Sequence, residues 1–156
     1  MNNDNNLSEQ KVKFSKILIA ADGSEASMDA ADYAILTARK YNSELIALHV
    51  ILSDVTLFGS VPPNHINEIK QEAQMYLDKI KEKSYEDGNN NKKVQLRTEL
   101  ITSTSAIDGI VAFAEKENID LIVIGTRGRS GFKKLLLGSV ASGVVTYAHC
   151  PVMVVK

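Results

Sequence analysis

The sequence predicts an α/β domain built on a doubly wound parallel sheet with helices on both faces. Three observations predict it. Short, continuous apolar runs occur at Lys16–Ala21, Glu44–Ile51 and Asp120–Gly125. Between them lie longer stretches whose apolar residues recur at helical spacing, and turn residues mark the junctions. Apolar runs without polar alternation suit strands buried on both faces. Strands alternating with helices imply parallel strands joined by right-handed crossovers.

Each element has its own signal. Lys16–Ala21 (KILIAA) reads as the first strand and ends in Asp22-Gly23-Ser24, a turn that also offers helix N-caps. From Glu25 to Tyr41, Ala31, Ala34, Ala38 and Tyr41 recur at helical spacing. Glu44–Ile51 is the second strand. Leu52–Pro63 holds Gly59 and two prolines and reads as a loop, with room to act as a lid. Asn64–Tyr85 is the next helix, with Ile66, Ile69, Ala73, Leu77 and Ile80 on one face. Glu86–Lys93 is polar and reads as a loop. Val94–Ile101 alternates apolar and polar residues, the mark of a half-exposed strand near a sheet edge. Ser105–Glu117 is a helix with Ile107, Ile110, Val111 and Ala114 inward, and Asp120–Gly125 is the fourth strand. Val140–Ala148 is the last helix and Val152–Val155 the last strand. Residues 1–13 are polar and read as a disordered lead; residues 14–156 form the one domain.

Composition narrows the function classes. At 156 residues the chain is long enough for one well-cored domain. A formal net charge of −1 argues against a general nucleic-acid or membrane-surface binder, both of which need a basic field. The single cysteine, Cys150, excludes an intramolecular disulfide and suits a reducing compartment. No apolar run approaches the ~18 residues of a spanning helix, and the polar start does not resemble a signal peptide. A cytoplasmic protein is the expectation.

The chemistry concentrates in GTRGRSGFKKLLLGSVASG, with glycines at 125, 128, 131, 138 and 143. Glycines let backbone amides approach an anion, and the N-terminus of the last helix would add free amides and a favourable dipole. The Ser139 hydroxyl could cap that helix or touch a phosphate. Asp120 is the last acidic residue; Arg127, Arg129, Lys133 and Lys134 follow it, so the local field is basic. Hydrogen bonds to charged groups contribute about 1.5–3 kcal/mol each, and several would reach the ~8 kcal/mol of micromolar binding. Neither the Walker loop nor G-x-G-x-x-G occurs here. On the residues alone, turns with a solvated basic face explain the segment equally well, and Arg127 and Arg129 stand evenly between phosphate contacts and solvated positions. His49 reads as a satisfied core histidine, and His149 with Cys150 as packing, since no further close ligand completes a metal set.

The spacing is more specific than its composition. Gly125, Gly128, nine residues, then Gly138-Ser139 matches the G-x-x-G-x9-G-[S/T] signature and resembles the ATP-binding branch of the universal stress protein family. The opening KILIAADGSEAS and the closing HCPVMVVK resemble the two ends of the family's domain, so the likeness runs from about Phe14 to Lys156. It implies a five-stranded sheet of order 3-2-1-4-5, with the first and fourth strands side by side at the switch point where such sheets bind ligands. It implies that Asp22 contacts the nucleoside at the strand end Ala20–Ala21, that Val50 lies against adenine, and that Ile124 sits near the base. Gly125, Gly128, Gly138, Ser139 and Val140 match the ribose–phosphate shell. Ala20 departs from the proline often found there. With Arg127 and Arg129 these residues form the candidate binding set. ATP or AMP is the expected ligand, with Mg2+ bridging the phosphates, and a homodimer through Val152–Val155 is the expected assembly. No nucleophile–base pair or water-activating carboxylate is visible. A regulatory binder is therefore the first expectation, with a nucleotide-free interaction module or a slow ATPase as the alternatives.

Overall fold

The computed structural model describes residues 12–53, 63–85, 93–126 and 137–156. The expected lead, for its first eleven residues, and most of the Leu52–Pro63 and Glu86–Lys93 loops lie outside the described residues, as do Arg127, Gly128, Arg129, Lys133 and Lys134. Nine elements follow in order: β1 Lys16–Ala20, α1 Glu25–Tyr41, β2 Glu44–Leu52, α2 Pro63–Tyr85, β3 Gln95–Ser103, α3 Ala106–Glu117, β4 Leu121–Gly125, α4 Ser139–Tyr147 and β5 Val152–Val155. The sheet is parallel throughout, in the order β3-β2-β1-β4-β5. β1 and β4 are neighbours, with Ala20 opposite Ile124. Strand order reverses between them.

The apolar runs are apolar because both faces of the sheet are covered. Along β1, Ile17 and Ile19 enter one core with α1 and α2, while Leu18 and Ala20 enter a second core with α3 and α4. β2 divides the same way, Leu45 and Ala47 against Ile46 and Leu48, and so does β4, Leu121 and Val123 against Ile122 and Ile124. This is the period of two of a strand, written entirely in apolar residues. α1 buries Ala30, Ala31, Ala34 and Ala38, and these small side chains let its axis lie close to the sheet. Along α2, Ala73, Leu77 and Ile80 are buried, but Ile66 of the expected stripe is exposed.

Helix ends follow local chemistry. Ser24 Oγ accepts from the Ser27 amide at 3.2 Å and Ser105 Oγ from the Asp108 amide at 3.2 Å, so a serine side chain caps both α1 and α3. Both helices end on an asparagine in the left-handed region, Asn42 at φ 56° and Asn118 at φ 54°. At the start of the strands, Asp120 Oδ2 accepts from the Ser15 and Lys16 amides at 2.7 and 2.8 Å. Arg97 meets Glu44, Glu99 and Glu117 there, with its Nε 2.8 Å from Glu44 Oε1. These carboxylates hold the Arg97 guanidinium more firmly protonated than a free arginine. No helix among the described residues is long and apolar enough to cross a membrane.

Candidate functional site

The carboxyl ends of β1, β2 and β4 open into a cavity of about 520 Å3. That lies within the ~300–1,000 Å3 range of small-molecule sites. Of the twelve residues in the candidate set, nine line it: Ala20, Ala21, Asp22, Val50, Ile124, Gly125, Gly138, Ser139 and Val140. Arg127, Gly128 and Arg129 lie outside the described residues. Residues from four separate parts of the chain therefore meet at the reversal of strand order.

One wall of the cavity is apolar. Ala20 and Ile124 face each other across the β1–β4 register and belong to the core of the α3–α4 side, where Val50 packs as well. With Ile110 and Ala141 they form a surface suited to the flat face of a heterocycle. Val50 is held in place from α3, because a Cβ built on Gly109 would lie 3.0 Å from its Cγ1.

A second wall is made of backbone. Thr126 donates its amide to the Val155 carbonyl at 2.7 Å and accepts from the Gly138 amide at 2.8 Å. The end of β4 is thereby joined to the start of α4. The first intrahelical bond of α4 runs from the Ser142 amide to the Gly138 carbonyl at 2.9 Å. The amides of Ser139, Val140 and Ala141 precede it and have no acceptor within the helix. Ser139 is the first helical residue rather than the residue before the helix, and the N-cap is Gly138, which has no side chain to offer. The expected capping role for the Ser139 hydroxyl is therefore replaced by a position on the first turn. That turn carries no acidic residue. Its positive dipole end and its amides lie on the cavity wall, a fit for an anion.

Gly125 has a different reason from the one its motif suggests. A Cβ there would stand 2.6 Å from the Ala26 carbonyl oxygen. The glycine lets the first turn of α1 cross the end of β4 in backbone contact. Close helix–strand packing at this point draws the β1–α1 turn and the α4 terminus into one cleft.

The β1–α1 turn forms the third wall. Asp22 Oδ1 accepts from the Ser24 amide at 2.9 Å, an Asx turn that fixes the carboxylate close to its own backbone. Gly23 sits at φ +80°, and a Cβ there would come within 2.5 Å of the Tyr76 ring. Positive φ and the aromatic cover both call for glycine here. Tyr76 belongs to α2 and donates its hydroxyl to Glu72.

His49, Ser27, Glu72, Tyr76 and Thr126 also line the cavity and were not candidates from the sequence. Thr126 adjoins Gly125 and could have been found by widening the motif by one residue. His49 is satisfied, as expected of a strand histidine, with its Nδ1 2.7 Å from the Ala21 carbonyl oxygen. Its place on the cavity wall had no signal except its adjacency to Val50. Glu72 and Tyr76 had no sequence signal, because nothing local tells which helix passes over the cleft. Cys150 packs against the α3–α4 core, and burial pushes its thiol up.

Comparison with known proteins agrees with this architecture. The family model described as the universal stress protein family matches residues 13–156. A universal stress protein of Methanocaldococcus jannaschii is 42% identical over 148 residues, covering 92% of this chain and 82% of that protein. Among solved structures, a universal stress protein from Lactobacillus plantarum has a TM-score of 0.79 and 25% identity, covering 93% of this chain and 99% of that one. The universal stress protein from Archaeoglobus fulgidus in complex with dAMP has the same fold, with a TM-score of 0.66 and 22% identity, covering 93% of this chain and 100% of that one.

Proposed function

This chain belongs to the universal stress protein family, and from that premise we propose that it is an adenine-nucleotide-binding regulatory protein of the family's ATP-binding branch. The observation that carries the proposal is the juxtaposition within one 520 Å3 cavity of an apolar wall and the uncapped first turn of α4. The base lies against Val50, Ala20 and Ile124, with Asp22 and Ala21 at the nucleoside end. The phosphates lie on the free amides of Ser139 and Val140 at the start of α4, with Gly138 and Gly125 beneath. Arg127, Gly128 and Arg129, which the sequence assigns to the same ligand, lie outside the described residues. The complex of a same-fold protein with dAMP supports a ligand of this class.

ATP and AMP both suit this donor set. Any Mg2+ would be held by phosphate oxygens and water rather than by a protein cage. No group of three or more His, Cys, Asp or Glu side chains placed to hold a metal occurs among the described residues. The protein binds and reports nucleotide rather than turning it over rapidly. Its partner is a second copy of itself, joined through β5, an edge strand whose Val152, Met153 and Val154 are only half-buried in the single chain. It works in the cytoplasm.

Denaturing the purified protein and analysing the supernatant by mass spectrometry tests for co-purified adenine nucleotide. Calorimetric titration with ATP and AMP follows, on the wild type and Gly138→Val. The valine's branched side chain, added at the α4 N-cap, should weaken binding by about ten- to a hundredfold, the loss of one charge-assisted contact, with a melting temperature near that of the wild type. Equal affinity in the two proteins would remove the proposed site.

A further inference from the structure

His49 stands outside the set of residues given to the nucleotide above, yet it holds the part of the site that set depends on. Its ring is half-buried on the cavity wall, with Nδ1 2.7 Å from the Ala21 carbonyl oxygen. A carbonyl oxygen only accepts, so Nδ1 carries the proton and donates. In the neutral ring this selects one tautomer and leaves Nε2 an acceptor.

Ala21 is thereby tied to β2 twice. Its amide donates to the Leu48 carbonyl at 2.9 Å, and its carbonyl accepts from His49. The regular β1–β2 ladder ends with Ala20 opposite Leu48. The His49 side chain carries the pairing one group further, to the residue before Asp22. The Ala21–Asp22 peptide is trans, like every described peptide bond. In a planar trans peptide the carbonyl and the following amide point in opposite directions. Holding the Ala21 carbonyl toward His49 therefore turns the Asp22 amide away from it. Tyr76 packs its ring against Gly23, the residue after Asp22, with its centroid 6.1 Å from that of His49. Asp22 thus lies in the chain between Ala21, bonded to His49 of β2, and Gly23, covered by Tyr76 of α2.

We propose that His49 is a positioning residue of the nucleotide site, its Nδ1–H fixing the Ala21–Asp22 peptide so that Asp22 is presented to the ligand. The ligand half of this rests on the nucleotide reading above; the orientation of the turn does not, and the two are measured separately.

Nitrogen-15 NMR of the imidazole rings in the full chain, without nucleotide and in mildly alkaline buffer, should show His49 as the Nδ1–H tautomer with a slowly exchanging proton. An Nε2–H tautomer, or a freely exchanging mixture, overturns the proposal. AMP titrations of His49→Leu and His49→Asn form the second arm. Leucine removes the donor and should weaken AMP by about tenfold, with amide shift changes concentrated at Asp22, Gly23 and Ser24. Asparagine returns an N–H near the Nδ1 position and should restore affinity to within about threefold of wild type. Unchanged affinity in a folded His49→Leu overturns the proposal, as does equal loss in both variants. Should His49→Leu not fold, the tautomer and His49→Asn decide. Wild-type protein that binds no adenine nucleotide removes the reading of the site and the ligand half of this proposal, while the tautomer still decides whether His49 sets the turn.

Discussion

The two ends of the sheet are built from the same five strands and end in opposite ways. Where the strands begin, side chains close the structure. Asp120 takes the Ser15 and Lys16 amides, Ser43 Oγ donates to the Phe14 carbonyl at 2.5 Å, and Arg97 joins Glu44, Glu99 and Glu117. Where the strands finish there is a cavity, and the helix that starts beside it has no side-chain cap. The helices that start at the carboxyl end differ among themselves: serines cap α1 and α3, whereas glycine precedes α4. A capped terminus has given its amides to its own chain, while an uncapped one on a concave surface offers them to a ligand. Charged side chains close one end, and a cavity with free helix amides opens at the other.

The largest effect should come from giving the α4 terminus the anion it lacks. Ser139→Asp places a carboxylate on the first turn, where the dipole favours it by about 0.3–1 kcal/mol. The melting temperature should hold or rise slightly. Nucleotide affinity should fall roughly a hundredfold, between the ~1 and ~4 kcal/mol expected of like charges 4 Å apart in water and near a protein surface. Thermal melts and titrations on the same preparation check both signs. A variant that binds as well as wild type would erase the contrast between the two ends.

Next comes the glycine that serves both purposes. Gly125→Ala drives a Cβ against the Ala26 carbonyl, a contact with backbone that cannot rotate away. About 1–3 kcal/mol of stability should be lost by chemical denaturation, and binding should weaken as well, because α1 and β4 must separate. Gly138→Val, by contrast, should affect binding alone.

The smallest effect belongs to the closed end. Arg97→Met leaves three carboxylates facing one another, but the Arg97 side chain is 36% exposed and solvent screens it. A loss of about 1 kcal/mol is expected, with nucleotide affinity unchanged. A change in affinity from this position would mean that the two ends are coupled.

The sequence by itself determined the elements and the location of the chemistry. Apolar runs marked strands covered on both faces, helical spacing marked α1 and α3, and the Asp22-Gly23-Ser24 turn marked the cap of α1, whereas the Ser105 cap of α3 came from the structure. The spacing of Gly125, Gly128 and Gly138-Ser139 marked the candidate binding segment through its family resemblance. These signals are local, carried by residues within a turn or a motif of one another. What only the tertiary structure decided is which distant residues meet. Gly125 is required by the Ala26 carbonyl, nearly a hundred residues earlier in the chain. Tyr76 and Glu72 reach the cleft because α2 packs on β2 and β3 beside α1, and His49 meets Ala21 because β1 and β2 pair in one register. Such contacts leave no periodicity in the chain, since they depend on how the elements are stacked, and stacking is set by burying both faces of the sheet at once.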